Sequence, residues 1–187
     1  KYMSHIDLQM NDLKRHILKG IESSDIYELA ICSPIERANG LSARLANEIY
    51  FKREDLQPVF SFKLRGAYHK LNLLSDNQKK QGVITASAGN HAQGVALGAK
   101  KLGIKTLIVM PVTTPEIKVN AVKIQGAEVI LHGDSYDDAL KLSHKLAKQD
   151  GYVFIHPFDD AEVIAGQGTI AKEIISQLGD TIDAIFV

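Results

Sequence analysis

Two short stretches hold residues whose types and spacing could do chemistry. In VFSFKLRGAYHKL, residues 59–71, Leu64, Ala67, Tyr68 and Leu71 recur at spacings of three and four. That spacing predicts one face of a helix over 61–74, with Ser61 placed as its cap. Lys63 then falls in the first turn, where the partial positive charge of a helix N-terminus disfavours an ammonium. One reading is a surface lysine snorkelling past Phe62. The other is a nucleophilic amine, its pKa lowered by desolvation and by the helix start, able to form a Schiff base with a carbonyl. In TASAGNHAQG, residues 85–94, a strand ending near Ser87 gives way to a helix that continues to Leu102. Small residues there let a bound group approach the backbone. Ser87, Gly89 and Asn90 offer hydroxyl and amide donors, and the peptide N–H groups at the helix start form an anion site. The plainer reading is a strand–helix turn capped by Asn90, with His91 as a structural hydrogen-bonder.

A third stretch, AGQGTIA (165–171), matches G-x-G-x-x-A. It follows AEVI rather than a strand–turn start, and the acidic partner about 20 residues on would fall in or beyond the last strand. Close helix packing by Gly166 and Gly168 is the expected role. The sequence has no Walker A motif, no H-E-x-x-H and no Cys/His metal spacing, so no metal site is expected. The acidic run Asp134 to Asp138 reads as the cap of a helix start.

The elements that must position these residues follow from the apolar pattern. Residues 3–19 read as an amphipathic helix with Met3, Ile6, Met10, Leu13 and Ile17 on one side. EIYFKRED (48–55) reads as a strand running into a charged loop. After the helix at 61–74 and a short capped turn, SDNQKKQG, strands VITAS (83–87), KTLIVM (105–110), AEVILHG, YVFIHPF and DAIFV alternate with helices over 90–102, 135–149 and 160–178. A further helix in TPEIKVNAVKIQG is expected to start with Thr114 as cap and Pro115 at its first position, and to end on Gly126. This alternation implies an α/β fold of three layers, an open twisted parallel sheet with helices on both faces. In such sheets ligands bind beyond the carboxyl ends of the strands. A stop on AIFV leaves that strand without its following loop, so a fragment of a longer protein is expected.

The balance of charge excludes other classes. Among 187 residues, 22 basic and 22 acidic side chains give a net charge of zero, which points to neither nucleic acid nor an anionic membrane. The apolar runs are far shorter than a membrane span. One cysteine, Cys32, permits no intramolecular disulfide and fits a reducing, cytoplasmic location.

Taken together, KREDLQPVFSFKLRGAY and, about two dozen residues later, SAGNHAQGVA resemble the threonine dehydratases, within the fold-type II pyridoxal phosphate enzymes. The resemblance runs on through LIVMP, IKVNAVK and VIAGQGT, and QPVFSFK is similar to the biosynthetic branch that feeds isoleucine synthesis. It implies that pyridoxal 5'-phosphate is the cofactor. Lys63 would be its covalent anchor, Asn90 would bond its 3'-oxygen, and Phe62 would lie against it. Ser87, Ala88, Gly89, Asn90 and His91 would cradle the carboxylate of a small amino-acid substrate, with Lys63 as general base and Ser87 assisting proton transfer. The implied reaction turns threonine into 2-oxobutanoate and ammonia, and serine into pyruvate. A degradative serine/threonine dehydratase, a serine racemase and a non-catalytic α/β module are the rivals. The resemblance also implies two lobes: residues 1–55 and 166–187 in the larger, and 56–165 in a small mobile one. The glycine-rich phosphate loop, the rest of the large lobe and a C-terminal regulatory domain that binds isoleucine and valine are expected beyond Val187. A homo-oligomer, dimer or tetramer, is implied as well.

Overall fold

The computed structural model of the chain describes residues 5–187. Its centre is a four-stranded parallel sheet in the order β5–β4–β3–β6, formed by β3 (Val83–Ala86), β4 (Thr106–Met110), β5 (Glu128–Leu131) and β6 (Val153–Phe154). Every residue of β3 and β4 is buried, as central strands covered on both faces must be. The side-chain period of two divides them cleanly. Val83, Ile108 and Met110 pack towards α5 (Asn90–Lys101) and α6 (Glu116–Ile124). Ile84, Ala86, Leu107 and Val109 pack towards α7 (Tyr136–Asp150). The three-layer α/β fold expected from the sequence is therefore present. On the α7 face Tyr152 and Phe154 join the aliphatic cluster, and α7 is fixed at its start by Ser135 and Asp138 in a reciprocal capping box, so the acidic run does cap a helix.

The chain order within the sheet matters for function. From β3 the chain winds outward through β4 to β5, then returns to place β6 on the other side of β3. The direction of winding reverses between β3 and β6. The loops that follow these two strands diverge there and open a crevice.

Helix α3 (Lys63–Asn72) lies against α5 and against α8 (Ala161–Leu178). The crossing with α8 is close enough to need glycine on both sides. A Cβ on Gly66 would sit 2.5 Å from the Val163 carbonyl oxygen, and one on Gly166 would sit 2.6 Å from the Gly66 Cα. Gly168 faces Ile21 of α1 (His5–Ser23) in the same way. The glycines of AGQGTIA therefore serve helix packing. Sealed into this crossing is Arg65, with no exposed surface. Its guanidinium grips Glu54 with two bonds (2.8 and 2.7 Å) and Glu173 with two more (2.6 and 2.9 Å). It also donates to Thr169 Oγ1 and the Ile31 carbonyl, so its donor fork is filled. Glu173 takes further bonds from Lys52 (2.6 Å) and Tyr27 (2.8 Å).

Several elements differ from the sequence reading. α3 begins at Lys63 with Phe62 as the capping residue, and Ser61 Oγ accepts the Lys63 N–H. Pro115, not Thr114, caps α6, because its ψ of 138° is extended; the Thr114 hydroxyl is buried with no partner among the described residues. SDNQKKQG holds a short helix, α4 (Asp76–Gln81), with its own capping box at Ser75 and Gln78. IER (35–37) forms β1, antiparallel to β2 (Tyr50–Lys52), a pair flanking α2 (Asn39–Leu45). YVFIHPF is a strand only over Val153–Phe154, because Pro157 has no N–H for a ladder. DAIFV is not a strand: it bonds to no neighbour among the described residues, and Phe186 is exposed. Met3, assigned to the face of the first helix, lies outside the described residues.

Two outcomes follow from the Arg65 cluster. Arg65→Met should lower unfolding free energy by about 3–5 kcal/mol, because it leaves Glu54 and Glu173 partly or wholly buried without their shared cation. Urea unfolding at neutral pH measures this. Burial pushes the Glu173 pKa up, but the bonds from Arg65, Lys52 and Tyr27 outweigh it and hold it below the usual glutamate range. Its stabilising contribution is thus complete above the unfolded glutamate pKa of about 4.3 and disappears as pH falls through the lower folded value. Glu173→Gln should flatten that part of the stability–pH curve below about pH 4.5.

Candidate active site

Lys63 reaches the crevice between β3 and β6. Its Nζ donates to the carbonyl of Pro157, 2.9 Å away, in the loop that follows β6. The same Nζ lies 5.3 Å from the centre of the Phe62 ring. Desolvation lowers the Lys63 pKa below the ordinary lysine value, which raises the share of neutral, nucleophilic amine. The awkward first-turn position thus brings an amine to the switch point of the sheet, on a helix whose other flank is locked by Arg65.

The loop after β3 forms the opposite wall. Ser87 closes the strand, with its N–H on the Val109 carbonyl. Its Oγ accepts the N–H groups of Gly89 and Ala92, both at 3.3 Å. Ser87 therefore does the capping work that the sequence assigned to Asn90. Gly89 is the residue before α5, and Asn90 is its exposed first residue. With two of the early amides held by Ser87, those of Asn90 and His91 are left for an external acceptor at the positive end of a 12-residue helix. A Cβ on Gly89 would meet nothing within 4 Å, so a ligand has room above it. Gly94, one turn on, sits against the Lys63–Leu64 backbone, where an added Cβ would lie 3.1 Å from Lys63 C and O. That contact fixes the loop relative to the lysine. Ser87, Ala88, Gly89, Asn90 and His91 are thus on one wall, with Lys63 and Phe62 on the other.

His91 points away from the crevice, into the protein. Its Nε2 donates to the Ile155 carbonyl at 3.1 Å, and the ring is 3% exposed. Burial lowers its pKa to about 4, against the upward pull of the Ile155 bond and with further lowering from Lys63 and His156. The ring is therefore neutral at pH 7, and its Nδ1 is buried with no partner among the described residues. The side chain works as the structural hydrogen-bonder of the plainer reading; a carboxylate can use only its backbone amide. Thr85 Oγ1 donates to the same Ile155 carbonyl at 2.8 Å.

The sequence pattern places Ile155–Phe158 in a strand, whereas in the structure Ile155–Asp159 forms a turn beside Lys63. Pro157 supplies the acceptor for Lys63, His156 organises the turn, and Phe158 stands 65% exposed at its tip. A proline three residues after an aromatic pair, followed by Asp159 and Asp160, was the available signal for a turn and a helix cap. The ground around Lys63 is open, with Phe62, Asn90 and Phe158 exposed. Two shallow hollows lie elsewhere: about 310 Å3 beside Arg37 and Asn47, and about 280 Å3 between His16, His69 and Glu162. Neither is lined by Lys63 or the 87–91 loop. Among the described residues no group of three His, Cys, Asp or Glu side chains could hold a metal ion. No described helix is long and apolar enough to cross a membrane.

Comparison with known proteins gives a consistent picture. The chain is 54% identical over 173 residues to the biosynthetic L-threonine dehydratase of Burkholderia multivorans, matching 91% of this chain and 34% of that protein. It is 56% identical over 170 residues to the biosynthetic, chloroplastic threonine dehydratase of Arabidopsis thaliana, matching 91% of this chain and 29% of that protein. It thus spans about a third of the length of these curated relatives. The processed form of threonine deaminase isoform 2 from Solanum lycopersicum superimposes with a TM-score of 0.87 at 51% identity, over 91% of this chain and 47% of that one. Maize serine racemase superimposes with a TM-score of 0.84 at 33% identity, over 87% of this chain and 50% of that one. The family described as pyridoxal-phosphate dependent enzymes matches residues 27–187, and the chain belongs to it.

Proposed function

We propose that the protein is a biosynthetic threonine dehydratase and that this chain carries its lysine and its carboxylate-binding loop. The observation that carries the reading is Lys63: a part-buried amine of lowered pKa, held 2.9 Å from a carbonyl in the crevice at the sheet's switch point. The residues around it suit pyridoxal phosphate. An amine of lowered pKa suits an aldehyde, the exposed Phe62 ring suits an aromatic face, and the open space over Gly89 suits a planar group lying on backbone. Lys63 would hold the cofactor, Asn90 would bond its 3'-oxygen, and Phe62 would lie against its ring. When bound, the cofactor supplies a carbonyl that captures the substrate amine and an electron-withdrawing ring that acidifies the α-carbon.

This chain's own residues then do the rest. The amides of Asn90 and His91 bind the substrate carboxylate at the α5 start, in the loop Ser87–His91. Lys63 Nζ takes the α-proton as general base, its neutral form favoured by desolvation. Ser87 Oγ, which already accepts two amides, orients the loop and stands beside the carboxylate for proton transfer. The β-hydroxyl of threonine leaves, and the net conversion to 2-oxobutanoate and ammonia balances in atoms, with water lost and regained. Serine gives pyruvate in the same way. Identity of 54–56% to proteins named biosynthetic dehydratases, against 33% to a serine racemase, favours this reading over racemisation.

The two-lobe division belongs to this proposal. Residues 56–165 contain the whole parallel sheet with α3 to α7 and the first residues of α8, while 1–55 and 166–187 supply α1, the rest of α8 and the Glu54 and Glu173 partners of Arg65. Ile117 and Ile124, seven residues apart on one face of α6, are 78% and 74% exposed and support a homo-oligomer. The cytoplasmic location is likewise proposed; the plant relatives are named chloroplastic.

In the full-length protein, Lys63→Ala should lower threonine turnover by about 10^3-fold or more, because anchor and base go together. Steady-state assay of 2-oxobutanoate checks this, and near-normal turnover would remove Lys63 from its role. Asn90→Ala should weaken cofactor affinity about tenfold while leaving the thermal midpoint of the cofactor-free protein unchanged. Fluorescence titration with pyridoxal phosphate measures the first, and thermal melting the second.

A further inference from the structure

We propose that His156 is a positioning residue for Lys63, acting through the carbonyl of Pro157; the inference rests on Lys63 being the reactive amine. The imidazole Nδ1 accepts two backbone N–H groups, from Phe158 at 3.2 Å and Asp159 at 2.7 Å. These bonds reach two and three residues forward and fold 156–159 into a tight turn, as an asparagine or aspartate side chain does at an Asx turn. Pro157 stands inside that turn. Its ring fixes φ, so the turn closure set by His156 decides where its carbonyl aims. That carbonyl is the acceptor of Lys63 Nζ.

Both ends of the turn are anchored independently. On one side, the Ile155 N–H bonds the Ile84 carbonyl, and the Ile155 carbonyl takes bonds from Thr85 and His91. On the other side, Asp160 caps α8 through the amides of Glu162 and Val163 and pairs with Lys70 at 2.7 Å. Between these anchors the His156 side chain is what fixes the turn among the described residues. Its ring also meets Phe154 and Phe158 edge-on, at centroid distances of 6.0 and 4.7 Å. Stacking and amide acceptance are therefore two separable contributions. Amide acceptance aims the Pro157 carbonyl, because it alone constrains the backbone on both sides of Pro157. Losing the aim frees Lys63 Nζ from its acceptor and makes it more reactive to a small acylating reagent.

Three variants of the full-length protein separate the contributions. His156→Asn places Oδ1 where Nδ1 sits and drops the ring. His156→Gln moves the acceptor one bond outward. His156→Phe keeps the ring and drops the acceptor. Trace acetylation with acetic anhydride, read by peptide mass spectrometry at Lys63 against the exposed Lys118, reports the amine's reactivity without cofactor. Gln and Phe should raise Lys63 acetylation by at least about threefold, with Asn close to the parent. Equal reactivity in all four proteins would overturn the proposal, and so would elevation in Asn matching that in Gln. A Phe variant that behaves like the parent would assign the turn to stacking instead. If the Phe variant does not fold, as thermal melting will show, the Asn–Gln comparison still decides. Failure of the parent to develop a visible band with pyridoxal phosphate would count against Lys63 as cofactor anchor, and leaves the acetylation comparison standing.

Discussion

Everything in this structure that bears on chemistry depends on how closely α3 approaches α8. Lys63 is the first residue of α3, and two residues later Arg65 has no contact with water. Arg65 can be buried there only because Gly66 and Gly166 let the helix backbones meet, and because Glu54, Glu173, Thr169 and the Ile31 carbonyl use all its donors. A buried arginine with two carboxylates adds modest net stability over an apolar core, but any incomplete version of it is costly. That makes the arrangement specific. Rotation of α3 about its axis would strand a charge, so the side of the helix that presents Lys63 is fixed.

The second ingredient is the order of the strands. A sheet wound outward from β3 through β5 and then returning to β6 leaves the β3 and β6 loops facing one another across a gap. One loop begins a helix with two amides held by Ser87, and the other turns on His156 and Pro157. His91 ties the two together from beneath by bonding the Ile155 carbonyl. The crevice therefore has an amine on one wall, an amide anion site on the other, and a shared buried floor. That is the minimum needed to hold an amino acid by its carboxylate beside a base.

The sequence made part of this legible, for physical reasons that differ from residue to residue. Lys63 was visible because a cation in a helix's first turn is out of place. The Ser87–His91 loop was visible because small residues between an apolar strand and a helix have few other uses. The lack of a strand–turn context marks the glycines of AGQGTIA as packing residues, and Gly66 and Ile21 are what they pack against. Arg65 was not singled out, because a charged residue beside an apolar face reads as solvated; only the pairing of Gly66 with Gly166, distant in sequence, makes it interior. The stretch YVFIHPF misled because apolar alternation outweighed Pro157, and because histidine is not among the residues whose side chains usually build turns. Thr114 looked like a cap by type, but the extended backbone of Pro115 moved the helix start one residue on.

The central claim is that Lys63 is the amine that takes the cofactor. Its most direct test is borohydride reduction of the full-length protein in pyridoxal phosphate, followed by peptide mapping. The account predicts a single phosphopyridoxyl adduct, on Lys63. An adduct on another lysine with Lys63 unmodified, or label spread evenly over surface lysines, would contradict it.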